Sequence, residues 1–100
     1  MSSYSYIMSS LPSETALKNA AKLSIEQDKP IMLDYWEDSC VEEPSILIGV
    51  RENDEKLLVR DAEQYTSPIS KIFKVVEEYI IITENSIYIV SCKIPSKRIS

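Results

Sequence analysis

The chain has 100 residues, which is enough for one domain whose hydrophobic core is stable without disulfide bonds or a structural metal ion. Its net charge of −5 argues against a general binder of nucleic acid or of anionic membranes, and the lack of histidine excludes a Cys–His nucleophile pair. It contains no signal-peptide pattern and no run of about 20 apolar residues, so we expect no membrane insertion. A secreted disulfide framework usually has four or more cysteines. We therefore predict that Cys40 and Cys92 are free thiols in the cytoplasm.

The N-terminal part of the sequence changes from a polar segment to a helical period. Residues 1–10 are rich in serine and tyrosine, and we predict a flexible arm there, followed by a single α+β domain over residues 11–100. Pro12–Asp28 has apolar residues on one face and charged residues on the other, with Ser10 or Ser13 as capping residue. Lys29-Pro30 ends this helix. Since its apolar face is mostly alanine and serine, we expect the helix to lie close to a sheet.

After Pro30 the sequence becomes rich in β-branched and aromatic residues. The short polar connections between the runs predict antiparallel neighbours, so the helix packs on a curled β-meander of about five to six strands. A short run at Arg98–Ser100 either pairs at an edge or trails free. The predicted strands are Ile31–Trp36, Ile46–Arg51, Lys56–Arg60, Ile69–Val76, Tyr79–Thr83 and Ser86–Cys92.

Several of these strands are apolar on both faces, as in Ile80-Ile81-Ile82 and Leu57-Leu58. In an antiparallel sheet with one solvent-exposed face, apolar and polar residues would alternate more regularly along each strand. We therefore expect both faces of the sheet to be covered. The sheet either closes into a small barrel or carries the helix on one side and a second subunit elsewhere. We favour a curled sheet in a homodimer. Gly49, the only glycine, lies inside a strand and indicates a bulge or a close backbone approach.

The acidic segment after the first strand is the best candidate for a metal or acid–base site. Asp34, Glu37 and Asp38 could ligate a hard cation, but their spacing matches no calcium loop, and a solvated acidic loop explains them as well. Cys40 has acidic neighbours, which oppose a reactive thiolate. We therefore predict no catalytic residue, no metal site and no cofactor.

Aromatic residues near a strand end are the best candidates for protein contact, because tryptophan and tyrosine are enriched in contact hot spots. Tyr35 and Trp36 must face opposite sides if the strand is regular, so one of them could instead fill the core. The predicted interaction residues are Tyr35, Trp36, Tyr79, Ile80 and Ile82.

The basic residues are few and lie mainly in the tail Lys93–Arg98, with Lys71 and Lys74 as further candidates. Together with Tyr79 or Tyr88 they could bind single-stranded nucleic acid through a curled sheet. So small a number of phosphate contacts is too few for firm binding, so nucleic acid is a secondary hypothesis. A carboxylate-based metal hydrolase using Asp34, Glu37 and Asp38 is a third.

Two segments of the sequence carry a resemblance to known proteins. They are Glu63–Val90, EQYTSPISKIFKVVEEYIIITENSIYIV, and Asp34-Tyr35-Trp36-Glu37-Asp38. With these segments the sequence resembles short uncharacterised proteins of giant DNA viruses, in particular the Marseillevirus group. The resemblance covers about half the chain and contains no functional motif, so it transfers no active-site residue. It implies a viral product made in host cytoplasm, in the virus factory or the virion. Our leading hypothesis, which does not depend on it, is a non-enzymatic interaction or structural protein that forms a homodimer.

Overall fold

The computed structural model describes residues 11–99, which form an α+β fold of two helices and seven strands. The fold class predicted from sequence is confirmed, whereas the predicted arm over residues 1–10 lies outside the described residues. The helices are α1 (Glu14–Gln27) and α2 (Trp36–Ser39). The strands are β1 (Ile31–Met32), β2 (Leu47–Val50), β3 (Lys56–Val59), β4 (Ile69–Val75), β5 (Glu78–Thr83), β6 (Ile87–Ser91) and β7 (Ser96–Arg98).

Helix α1 begins and ends at residues that suit its termini. The Ser13 hydroxyl accepts a hydrogen bond of 3.1 Å from the Ala16 N–H, which is the usual N-cap contact. At the other end Asp28 takes a left-handed conformation with φ 53°. Ala16 and Ala20 are fully buried, so the helix lies close to the sheet, as its alanine-rich face predicts.

The central layer is a four-stranded sheet with the strand order β1-β6-β5-β4. Strands β4, β5 and β6 form an antiparallel meander, and the short β1 pairs in parallel with β6. Helix α1 covers one face of this sheet. The buried residues of that helix–sheet core are Ala16, Ala20, Trp36, Ile80, Ile82, Ile87 and Ile89.

A three-stranded sheet with the order β3-β2-β7 covers the opposite face. Strands β2 and β3 form an antiparallel hairpin, while β7 pairs in parallel with β2. The second core lies between the two sheets. Its buried residues are Ile46, Ile48, Leu58, Ile81, Val90 and Ile94.

The layering explains the two-faced strands. In β5, Ile80 and Ile82 belong to the helix–sheet core, whereas Ile81 belongs to the core between the sheets. Both faces of β5 and β6 are therefore covered by the chain itself, without a second subunit. The contact surface of any dimer must lie elsewhere.

The predicted strand Ile31–Trp36 is wrong beyond Met32, because the chain turns there into α2. The Trp36 N–H donates to the Leu33 carbonyl at 3.1 Å. The buried Ser39 hydroxyl donates to the Trp36 carbonyl at 2.6 Å and accepts from the Ser91 N–H at 2.9 Å. This contact with the end of β6 fixes the helical turn and carries Trp36 into the core.

The other predicted strands differ at their ends by one residue, and two of the remaining differences change a turn or a strand pairing. The turn between β4 and β5 consists of Val76 and Glu77, since Val75 already pairs with Glu78. The last strand is Ser96–Arg98 rather than Arg98–Ser100, and it pairs in parallel with β2 instead of extending the meander.

Candidate functional site

The predicted contact residues fall into two groups in the structure. Trp36, Ile80 and Ile82 are buried in the helix–sheet core, so they hold α1 to the sheet and present no surface to a partner. Tyr35 and Tyr79 are half-buried and pack against the core between the sheets. The contact prediction therefore rests on these two tyrosines and on surfaces that the prediction did not include.

An apolar surface lies on the outer face of the three-stranded sheet, which points away from the core. Register places Leu47 opposite Val59 and Gly49 opposite Leu57 on this face. Leu57 is buried, whereas Leu47 and Val59 are half-buried. An isolated bridge from Val59 to Tyr65 extends the same face.

Gly49 allows the C-terminal end of the chain to cross this face. A Cβ atom built on Gly49 would lie 2.7 Å from Cδ1 of Ile99 and 3.0 Å from Cγ2 of Val59. The approach to Gly49 is thus made by the side chains of Ile99 and Val59 rather than by backbone, and the β2–β3 register has no bulge there. Ile99 itself is 43% exposed, and Tyr65 is 52% exposed, so apolar area remains open to solvent.

These residues line an open groove of about 520 Å³ on the outer face of the three-stranded sheet; hereafter we call it the outer groove. Its rim carries charges of both signs, with Arg51 in an ion pair of 2.9 Å with Glu55 and with Asp61 nearby. The residues that line the groove are Leu47, Arg51, Leu57, Val59, Arg60, Asp61, Ala62, Tyr65 and Ile99.

Arg60 joins this rim to the segment that contains α2. Its Nη2 atom donates to Oδ2 of Asp38 at 2.7 Å and to the Asp34 carbonyl at 3.0 Å. Its guanidinium carbon lies 4.6 Å from the centroid of the Tyr35 ring, within range of a cation–π contact. Asp38 is thus half of an ion pair.

Tyr35 also stacks on Tyr88, with ring centroids 5.6 Å apart. Burial raises the pKa of both phenols; the Arg60 guanidinium opposes this effect at Tyr35. Tyr35 is therefore an uncharged aromatic residue that packs between Tyr88 of the central sheet and Arg60, which lines the outer groove. Its contacts contribute to the fold.

The structure does not bring Asp34, Glu37 and Asp38 together as a cluster of metal ligands. Within residues 11–99, no three histidine, cysteine, aspartate or glutamate side chains are grouped so as to hold a metal ion. Cys40 and Cys92 are free thiols. Burial raises the pKa of the Cys40 thiol, an effect that the hydrogen bond with Ser39 only partly opposes. A raised pKa keeps this thiol protonated and weakly nucleophilic at neutral pH.

The basic tail is split between solvent and the β2–β3 turn. Lys93, Lys97 and Arg98 are all exposed. Nη1 of Arg98 lies 3.9 Å from Oδ1 of Asp54, and its Nη2 donates to the Glu52 carbonyl. Tyr88 packs against the core between the sheets. This placement lends no support to the single-strand nucleic-acid hypothesis, which requires exposed tyrosines and free cations on one surface.

Sequence reasoning missed Tyr65 and Ile99 as surface residues. Tyr65 belongs to a polar connection, and Ile99 lies beyond the last strand, so neither has a periodic neighbour that would indicate its face. The adjacent apolar pair Leu57-Leu58 was the available signal, because one of the two must point away from the core.

Comparisons with family models, curated proteins and solved structures found no match for this chain. Within residues 11–99, neither helix has the length and apolar character needed to cross a membrane.

Proposed function

We propose that this protein acts by non-enzymatic protein–protein contact and that its first partner is a second copy of itself, bound through the outer groove. The observation that carries the proposal is the apolar surface around Leu57, topped by the exposed side chains of Tyr65 and Ile99. An exposed apolar patch with a polar rim is typical of an interaction site.

The rim of the outer groove supports a second copy as the occupant. A twofold dimer presents the same surface on both subunits, so its rim must be complementary to itself. Arg51 and Asp61 supply both signs of charge beside the apolar residues. Each subunit can therefore place a cation opposite the partner's anion while the apolar residues meet at the centre.

The side-chain chemistry supports contact rather than catalysis. The chain has no histidine, and the carboxylate of Asp38 is engaged by Arg60. The raised pKa of the Cys40 thiol supports a non-nucleophilic side chain at this position. The resemblance to giant-virus proteins bears only on the setting of this contact, which it implies to be host cytoplasm, the virus factory or the virion.

Charge insertion at the groove tests the proposal. We expect Ile99→Glu to abolish self-association, because it places a carboxylate in the apolar centre of the contact. Ile25→Glu is the matched control, since Ile25 is 83% exposed on α1, away from the groove. The two variants are compared by analytical ultracentrifugation, with circular dichroism to verify the fold.

A second variant, Tyr65→Glu, covers the possibility that Ile99→Glu fails to fold. If folded Ile99→Glu or Tyr65→Glu associates as strongly as Ile25→Glu, the outer groove is not the dimer contact and the proposal is wrong.

A further inference from the structure

A second surface, distinct from the outer groove, lies at the edge of the four-stranded sheet. Strand β4 ends the strand order, and within residues 11–99 it pairs only with β5. Among the described residues, its other edge therefore has no strand partner over a length of seven residues. Such an edge is a template for an additional strand.

An open groove of about 330 Å³ lies between helix α1 and β4, beside this edge. Register places Phe73 opposite Ile80 and Lys71 opposite Ile82, so these side chains of β4 point to the helix side. Phe73 is 39% exposed. The residues that line the groove are Asn19, Lys22, Leu23, Glu26, Phe73, Lys74, Val75 and Ile80.

The charges along this edge are opposite to those of the whole protein. Lys71 and Lys74 are exposed on β4, and Lys22 lies on the facing side of α1. None of the three forms an ion pair with a carboxylate of residues 11–99. Glu26 is the single acidic residue of the lining, in a chain whose net charge is −5.

We infer that the β4 edge and the adjoining groove bind an extended acidic segment of another protein, which adds to the sheet as a fifth strand. Backbone hydrogen bonds to β4 would hold the segment. On the helix side, apolar side chains of the segment would contact Phe73 and Val75, and an acidic side chain opposite Lys71 would pair with that lysine. On the opposite face, an acidic side chain would pair with Lys74.

The positive charge of the β4 edge also argues against two alternative occupants, a second copy of the chain and its own N-terminal segment. A second copy that paired through the same edge would bring its lysines close to Lys71 and Lys74. The segment Met1–Ser10 contains no carboxylate to pair with them. This inference goes beyond the homodimer proposed above, and it uses a different sheet, so either can fail alone.

The first experiment measures peptide binding to the full chain by fluorescence anisotropy. The probe is a fluorescein-labelled heptapeptide with valine at the two positions that face Phe73 and Val75 and aspartate at the other positions. Peptides with serine or with lysine in place of aspartate are its controls. We expect saturable binding of the acidic peptide only. No saturation up to about 1 mM protein, or equal binding of the serine–valine peptide, would overturn the inference.

Charge reversal locates the site. We expect Lys71→Glu with Lys74→Glu to weaken binding of the acidic peptide by about tenfold or more. Lys56→Glu with Lys93→Glu is the matched control, because it changes the net charge equally at exposed lysines away from β4. Equal weakening by both double variants would show only a general charge effect and would contradict the site.

Amide hydrogen exchange of the full chain separates the possible occupants. We expect the outward amides of β4 to exchange fast in the free protein and slowly with the acidic peptide. Slow exchange without peptide overturns the inference: if it is independent of protein concentration, another part of the chain covers the edge, and if it grows with concentration, a second copy does.

Discussion

Val76 is the residue whose backbone conformation fits its side chain least. It has φ 58° in the two-residue turn between β4 and β5, and its side chain is 62% exposed. Left-handed geometry is unfavourable for a β-branched residue, and so exposed a side chain gains little packing in return. The fold tolerates this strain because the pairing of the flanking strands fixes the turn.

We therefore expect Val76→Asn to raise the free energy of unfolding by about 1 kcal/mol, since asparagine tolerates this conformation. Urea denaturation measures the change. Val76→Thr keeps the β-branch and should give no such gain. Equal stability of the two variants would show that the turn is not strained.

The paired tyrosines predict how stability depends on pH. Burial raises the pKa of Tyr35 above its ordinary 10.0, against the opposing effect of Arg60. The unfolded chain then loses its phenolic proton at lower pH than the folded chain. This contribution to stability is complete below pH 10.0 and is lost as pH rises through the higher folded-state pKa.

Tyr35→Phe removes that titration, so its free energy of unfolding should fall less steeply than that of the wild type above pH 10.0. Urea denaturation at a series of alkaline pH values measures both slopes. Parallel slopes would mean that the Tyr35 phenol titrates alike in the folded and unfolded chain.

At the scale of elements, one polar contact fixes the start of α1 against β5. The Ser13 hydroxyl donates to Oε1 of Glu78 at 2.9 Å while it accepts from the Ala16 N–H. Glu78 is buried, so its carboxylate depends on such donors. The same hydroxyl thus caps the helix and satisfies a buried anion.

Ser13→Ala should lower the free energy of unfolding by about 2 kcal/mol, because it removes the cap and one hydrogen bond of a buried charge. Ser13→Thr keeps the hydroxyl and should lose much less. Thermal or urea unfolding compares the two. If both variants lose the same amount, the hydroxyl contact with Glu78 does not stabilise the junction.

Elements with local signals were predictable, and elements fixed by distant contacts were not. The period and caps of α1 lie within its own sequence, as do the short turns that define the β4–β5–β6 meander. Helix α2 instead depends on Ser39, whose hydroxyl meets the Ser91 N–H 52 residues away. The parallel pairing of β2 with β7 is equally non-local, so an apparent single meander is two sheets.

The candidate site could be predicted only in part from the sequence, because non-local contacts also build it. The pair Leu57-Leu58 indicated a second apolar face. Gly49 indicated a bulge or a close backbone approach, whereas the side chain of Ile99 makes the close contact. Periodicity could not show that the chain covers the second face of the central sheet with its own β2, β3 and β7. That internal layer moves the expected dimer contact from β5 to the outer groove.

At the scale of the whole molecule, the described chain is a stack of three layers: helix α1, the four-stranded sheet and the three-stranded sheet. Two cores fill the spaces between them. The outer surface of the three-stranded sheet carries the outer groove, where the apolar side chains of Tyr65 and Ile99 are exposed. Self-association through that layer is the central claim.

The most direct test is the solution mass of the full chain by light scattering across a dilution series. The account predicts a species of twice 11.4 kDa at high concentration that dissociates on dilution or persists throughout. A mass of 11.4 kDa at every concentration would contradict it.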